Sequence, residues 1–126
     1  MSEIQRVSED VRNVKNELET TKQQLEKIKG EGSVWTESGR QAIVEKCLAV
    51  IKPKLEGSLP KFSKIAENIQ TLGQTPEAQT VRKEFQQVLA SIAEALKSMS
   101  KYGKPEDRTV ADALCAKVDA CKNSVA

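Results

Sequence analysis

The first thirty residues carry the most regular pattern of hydrophobic positions in the chain. Apolar residues recur there at alternating spacings of three and four, and a threonine fills the one gap. Sustained over about four heptads, this narrow stripe is typical of a coiled-coil seam rather than of a helix lying on a broad core. We therefore predict a coiled-coil oligomerisation segment over residues 1–29, with the seam residues Ile4, Val7, Val11, Val14, Leu18, Thr21, Leu25 and Ile28.

The residues beside this seam favour a parallel arrangement of identical chains. In a parallel coil, a g position of one helix faces the following e position of its neighbour, which pairs Asp10 with Lys15 and Glu17 with Lys22. An antiparallel pair would set acid against acid and lysine against lysine. Because every d position is β-branched, a trimer or tetramer is favoured over a dimer. The alternative is that this helix folds back onto its own chain.

A short Gly-containing break follows, and we predict a linker over residues 30–34. Residues 35–126 show helical periodicity between Pro and Gly residues, and short loops favour an up-and-down connection. The predicted fold is all-α: an N-terminal parallel coiled-coil helix followed by a compact up-and-down helical bundle of three to four helices. Pro53 is expected to bend or end the first helix of the bundle, with a second run opening near Pro60. The bundle is expected to fold without the coil.

The amino-acid composition is typical of a helical protein, and it restricts the classes of protein to which the chain could belong. The 126 residues suffice for one modest core, and an aromatic content of 3% is poor in the residues that sheets favour. A net charge of +2 gives no overall attraction to nucleic acid or to an acidic membrane. There is no secretory signal and no apolar run of about 18 residues, so we expect a cytoplasmic protein with no membrane span. The odd number of cysteines, Cys47, Cys115 and Cys121, fits reduced core thiols.

The residues that catalysis most often requires are scarce. The chain has no histidine, which removes the commonest general base and the commonest metal ligand. It also lacks a P-loop and a dinucleotide-binding glycine motif. We therefore expect no enzymatic activity, no cofactor and no metal site.

Two groups of residues are candidates for binding. The partner-binding candidates lie beside breaks in the helical pattern and are Trp35, Phe62 and Tyr102, although a tryptophan after a linker more often packs the linker onto the bundle. The phosphate-binding candidates are the lysines near the expected Pro53 corner and near Tyr102, namely Lys52, Lys54, Lys61, Lys64, Lys97, Lys101 and Lys104. The alternative for these lysines is simple solvation at helix ends, where the dipole favours cations.

The leading functional hypothesis is a non-enzymatic oligomeric scaffold or adaptor. It self-associates through its N-terminal coiled coil and presents a helical protein-binding module, so that oligomerisation raises avidity for another protein. The alternative is an oligomeric nucleic-acid-binding protein, nucleocapsid- or cofactor-like, that uses the lysine clusters at helix ends. A third possibility is a non-enzymatic regulator whose coil pairs with a different chain.

Overall fold

The computed structural model describes residues 2–126 and contains four α-helices, with no strand in that range. The helices are α1 (Glu3–Glu31), α2 (Glu37–Gln70), α3 (Pro76–Tyr102) and α4 (Pro105–Ser124). The all-α prediction is confirmed. Residues 35–126 contribute three of the helices, and α1 extends through the predicted start of the linker at Gly30, so the first break falls at residues 32–36.

Short polar side chains and prolines set the starts of the helices. Ser2 and Gln5 form a reciprocal capping box at α1, and Thr36 and Thr75 cap α2 and α3 by accepting a backbone N–H with their hydroxyls. Proline is the first residue of α3 and of α4, where its missing N–H costs nothing. These contacts supply partners for helix N-termini and fix where each loop ends.

The expected end of a helix at Pro53 is wrong, because α2 runs unbroken through both Pro53 and Pro60 for 34 residues. Each proline removes one backbone hydrogen bond from the helix interior. Buried side chains on both sides of the prolines, including Ile51, Leu55 and Phe62, pack into the same core. Burial of this continuous apolar face offsets the lost hydrogen bonds and carries the helix through.

The four helices form one bundle around one core. Helix α1 packs against α2 and α3, helix α4 packs against the other side of the same two helices, and α1 and α4 do not touch within residues 2–126. The short loops reverse the chain at each connection, so α1 and α3 run in the same direction. At about 1.5 Å per residue, α2 is about 51 Å long, and the core extends along most of it.

Six of the eight residues of the predicted seam are buried, with Ile4 and Ile28 partly buried at its ends, but they are covered by their own chain. Val7, Val11 and Leu18 are at most 5% exposed and belong to the same apolar cluster as the cores of the other helices. A heptad stripe specifies that one face is apolar; it does not specify whose helices cover it. Here α2 and α3 cover it. The parallel coiled coil is therefore not confirmed, and the fold-back alternative describes this structure.

Charged residues beside the seam also have partners within the chain. Glu17 forms an ion pair with Lys61 of α2 at 3.5 Å, and Lys22 donates a hydrogen bond to Ser91 of α3. These are two of the four side chains that the sequence pattern assigns to contacts between neighbouring chains. Thr21, which fills the gap in the seam, donates its hydroxyl to the carbonyl of Glu17 at 3.0 Å and is buried without an unsatisfied polar group.

Candidate binding site at the open end of the bundle

Exposed hydrophobic side chains are concentrated at one end of the bundle, where the α1–α2 loop meets the end of α3. Trp35 is 91% exposed, Val34 is 52% exposed and Tyr102 is 42% exposed, and they are the large hydrophobic residues of the described chain that lie on its surface. We call this region the open end. The expectation that Trp35 packs the linker onto the bundle is wrong, since its side chain projects into solvent.

A groove of about 400 Å³ lies at the open end between α1, α2 and α3. Its floor is apolar and consists of nearly buried residues, Ile43, Val44, Cys47 and Met99. Its walls are formed by Lys29, Val34, Arg40, Ser98 and Tyr102. An apolar floor with a few polar groups above it is the usual construction of a binding site, so this groove is the strongest candidate site in the molecule.

The loop that presents Trp35 is held in place by its neighbours in sequence. Thr36 accepts the backbone N–H of Gly39 at 3.0 Å, and Arg40 donates to the carbonyl of Val34 at 2.8 Å. A Cβ atom at Gly39 would lie 2.3 Å from the Ser33 carbonyl oxygen, so the loop can approach α2 only because residue 39 is glycine. Trp35 is therefore displayed on an ordered turn, which lowers the entropy lost when a partner binds.

The walls of the groove are positively charged. The guanidinium of Arg40 lies 5.9 Å from the centre of the Tyr102 ring, and the ammonium of Lys101 lies 5.3 Å from it. Lys29 also lines the groove and is paired with Glu26 at 3.5 Å, and the Glu26 carboxylate is close enough to the Cys47 thiol to raise its pKa. Within residues 2–126 no carboxylate lines the groove. The site therefore combines apolar area with positive charge.

The thiol on the floor of the groove is not an activated nucleophile. Burial raises the pKa of Cys47 above its ordinary value, Lys29 offsets part of this rise, and Glu26 adds to it. Burial and the neighbouring Asp119 likewise raise the pKa of Cys115, whose Sγ lies 3.7 Å from that carboxylate. A raised pKa keeps a thiol protonated at neutral pH, whereas reactive cysteines have lowered values. Both side chains act as small core residues.

Phe62 is not a site residue. The structure leaves its side chain 0% exposed in the core of α2, so the partner-binding role predicted for it from the sequence requires a correction. The prediction depended on a helix end near Pro60. Because α2 continues past that proline, Phe62 occupies an inward position in the middle of a helix.

The candidate phosphate-binding lysines do not form one surface. At about 100° per residue, Lys52 projects from the side of α2 opposite to Lys54 and Lys61. Three of the seven lysines pair with carboxylates, Lys52 with Glu56 at 4.0 Å, Lys61 with Glu17 at 3.5 Å and Lys104 with Glu45 at 3.8 Å. Lys54, Lys64 and Lys97 are exposed, and Lys101 lies beside Tyr102 at the open end. Phosphate binding by these residues stays a prediction.

Sequence reasoning found Trp35 and Tyr102 but missed Val34 and Arg40. Tyr102 and Arg40 are 62 positions apart, and only the packing of α2 against α3 brings them together. The local sequence signal for an ordered turn was Thr36 followed by Gly39 and Arg40. That signal is informative only once the Ser33 carbonyl is known to lie against Gly39. Contacts of this kind depend on tertiary structure.

Three further observations bear on function. No helix within residues 2–126 combines the length and apolar character needed to cross a membrane. The same residues contain no cluster of three or more Cys, Asp or Glu side chains with the arrangement of a metal site. Comparison with protein-family models, with curated proteins and with solved structures finds no match. The open end is therefore the feature of the molecule that bears on function.

Proposed function

We propose that this chain is a non-enzymatic protein-binding module that contacts its partner through the open end. The observation that carries the proposal is that the exposed residues Val34 and Tyr102 line one apolar groove and that Trp35, which follows Val34 in the loop, is 91% exposed. The large hydrophobic residues elsewhere in the described chain are buried or partly buried. Clustered exposed apolar residues are characteristic of interaction surfaces, and single scattered ones are not. Tryptophan and tyrosine are also the residues that most often dominate binding energy.

The charged and polar groups at the site support binding rather than chemistry. The groove contains a protonated thiol, two cations and a serine, with no carboxylate and no histidine to move a proton. An adaptor needs an ordered contact surface on a stable support, and the turn that carries Trp35 is ordered by Thr36, Gly39 and Arg40. This is the arrangement that a helical binding module requires.

The test is selection of peptide ligands on the full chain from a random twelve-residue display library. We expect the selected peptides to lose about thirtyfold in affinity for Trp35→Ala, because truncating a central aromatic contact costs about 2 kcal/mol or more. Tyr102→Ala should weaken binding in the same direction. Anisotropy of labelled peptides gives the dissociation constants.

The matched control is Arg12→Ala, which removes an exposed side chain from α1 far from the loop and should leave affinity unchanged. Because Trp35 is so exposed, its removal should change the free energy of unfolding by no more than about 0.5 kcal/mol. Selection that yields no ligands, or ligands that bind Trp35→Ala as tightly as the unaltered chain, would count against the proposal.

A parallel coiled coil of α1 is the competing mode of action, in which multivalency rather than the groove is central. It is supported by the complementary e and g charges, and it requires α1 to leave α2 and α3 and to expose their core. Light scattering separates the two. A particle mass near 13.9 kDa favours the single-chain module, and three or four times that mass favours the oligomeric scaffold.

A further inference from the structure

We propose that the open-end groove recognises a carboxylate, so that its occupant is an acidic, hydrophobic peptide segment of another protein, with Asp or Glu beside a leucine or aromatic side chain. This inference depends on the proposed function and adds the chemistry of the partner. The geometry points to Arg40 as the residue that binds the carboxylate, with Trp35 and the apolar floor holding the neighbouring side chain.

The first step of the argument is charge. Arg40 lines the groove and forms no ion pair within residues 2–126, Lys29 lines it and is paired with Glu26, and Lys101 lies against the same tyrosine ring as Arg40. Complementary charge gives an interface its selectivity and speeds association more than it adds raw affinity. An acidic group on the partner is therefore preferred over a neutral or basic one.

The second step is the orientation of Arg40. One of its N–H groups donates to the Val34 carbonyl at 2.8 Å, and its guanidinium lies near the ring of Tyr102. A guanidinium has five N–H donors in a rigid planar fork, so four remain after this bond. A guanidinium held in this way loses little freedom when it binds a carboxylate, for which its geometry is well suited.

The third step is the apolar area beside that cation. The floor of Ile43, Val44 and Met99 offers a depression for one leucine-sized or aromatic side chain. The exposed Trp35 directly follows Val34, which lines the groove. A ligand that fills the groove and also covers Trp35 must be longer than a typical small molecule. A peptide segment does so, and burial of its apolar side chain strengthens the adjacent charge contact by excluding water.

A peptide fits the charge distribution better than an anionic membrane does. Glu31 and Glu37 are exposed on either side of the loop that carries Trp35, whereas Arg40 and Lys29 are partly buried and line the groove. A flat anionic surface would meet the two glutamates together with the tryptophan. A peptide is narrow enough to place its carboxylate in the groove and avoid them.

The experiment is a double-mutant cycle between the full chain and peptides from the selection described above. Each peptide is made with its Asp or Glu and with Asn or Gln in its place, and both forms are measured against the unaltered chain and Arg40→Gln. We expect the unaltered chain to prefer the acidic form by about tenfold, as for a partly desolvated charge pair, and Arg40→Gln to show no preference. Arg12→Gln is the matched control and should keep the full preference.

The cycle separates recognition from a merely structural role of Arg40. If Arg40 only supports the loop, Arg40→Gln weakens the acidic and amide peptides equally and the preference persists, which overturns the inference. Raising the salt concentration from 20 to 300 mM should weaken only the acidic peptide on the unaltered chain. A salt-independent preference would also overturn it.

Further outcomes distinguish failure of this inference from failure of the proposed function. Peptides that depend on Trp35 but lack acidic residues would refute the carboxylate and leave the binding module intact. Ligands independent of Trp35 would refute both. Trp35 is the single tryptophan, so its fluorescence tests other occupants directly. A blue shift of Trp35 emission with phosphatidylserine vesicles but none with peptides would assign the site to a membrane. A doubling of particle mass that depends on Trp35 would assign the site to a second copy of the chain. Either result overturns the inference of a peptide ligand.

Discussion

The two ends of the bundle are built differently. At the end where α2 stops, side chains join the helices to one another: Thr71 donates to Glu3 of α1 at 3.2 Å, and Gln70 donates to the carbonyl of Ser124 in α4 at 2.6 Å. Arg82 of α3 reaches the carbonyl of Gly73 at 3.5 Å, within the turn that follows α2. We call this the closed end. The open end has the ordered loop, the exposed aromatic side chains and the groove.

This difference separates side chains that join the helices from exposed side chains that the fold does not need. The bond from Gln70 satisfies a carbonyl at the C-terminus of α4, which the helix itself leaves without a partner, and the bond from Thr71 ties the end of α2 to the start of α1. Trp35, by contrast, contributes little to folding, because a side chain that is 91% exposed buries almost no apolar area. A large aromatic side chain that the fold does not need, on a turn held by hydrogen bonds of Thr36 and Arg40, is the feature on which the proposed binding role depends.

The largest effect we expect follows from α1, which spans the distance between the two ends. Removing residues 1–31 uncovers α2 and α3 and deletes five buried valine and leucine residues, Val7, Val11, Val14, Leu18 and Leu25. At about 1.5–3 kcal/mol for each side chain, the loss is on the order of 10 kcal/mol, comparable with the whole stability of a small domain. The remaining chain should lose its cooperative unfolding transition, as followed by circular dichroism in urea.

A milder substitution checks the same point in the full chain. Leu18→Ala should cost about 2–5 kcal/mol in the free energy of unfolding, whereas its exposed neighbour, as Glu19→Ala, should cost about 0.5 kcal/mol or less. If residues 32–126 unfold cooperatively as a stable monomer, then α1 is a separate segment and the coiled-coil hypothesis regains its basis.

The case of α1 shows what sequence patterns can and cannot predict. The spacing from Ile4 to Ile28 identified a helix and its buried face, because that periodicity follows from helix geometry alone. The partner of that face was not predictable, since an apolar stripe packs equally well on copies of itself or on α2 and α3. The predicted helix boundaries at Pro53 and Pro60 failed for a related reason. A proline inside a helix costs about 3 kcal/mol, which is less than the free energy gained by burying apolar side chains along a continuous helix.

The site divides in the same way between local and tertiary information. Trp35 was identifiable because a tryptophan beside a glycine-containing break is unusual in a chain so poor in aromatics. The groove was not identifiable, because its floor consists of ordinary core positions such as Val44 and Met99 that meet only when α2 and α3 pack. The role of Arg40 depends on Tyr102 in another helix, and no local pattern indicates that contact.

Two glycines in α2 provide a sharper comparison with a smaller expected effect. Gly39→Ala places a Cβ against the backbone oxygen of Ser33, so the loop must move and Trp35 with it. We expect peptide binding at the open end to weaken and acrylamide quenching of Trp35 to change. Gly57→Ala meets no atom within 4 Å in the helix interior and should stabilise the chain by about 0.5–1 kcal/mol, with no effect on binding.

These two variants test whether the order of the loop matters to the site. Urea unfolding and peptide affinity are measured for both, and Gly57→Ala is the control for adding a methyl group to α2. If Gly39→Ala binds peptides as well as the unaltered chain does, the turn is not needed to present Trp35. The groove alone would then be the contact surface, and the loop would be a simple connection.

The smallest effect we expect concerns the thiol beneath the groove. Because burial raises the pKa of Cys47 above its ordinary value of 9.0, the folded chain keeps this proton to higher pH than the unfolded chain does. The resulting stabilisation is complete below pH 9 and is lost as the pH rises through the folded pKa. From pH 8 to pH 10, the free energy of unfolding of the unaltered chain should therefore fall more than that of Cys47→Ala.

The control is Val44→Ala, which shortens another floor residue and keeps the thiol. Its free energy of unfolding should fall as steeply as that of the unaltered chain. The raised pKa of Cys115 acts in all three proteins, so the difference between them isolates Cys47. Equal slopes for the unaltered chain and Cys47→Ala would mean that water reaches the floor of the groove in the folded state, so that the open end is more hydrated than its packing indicates.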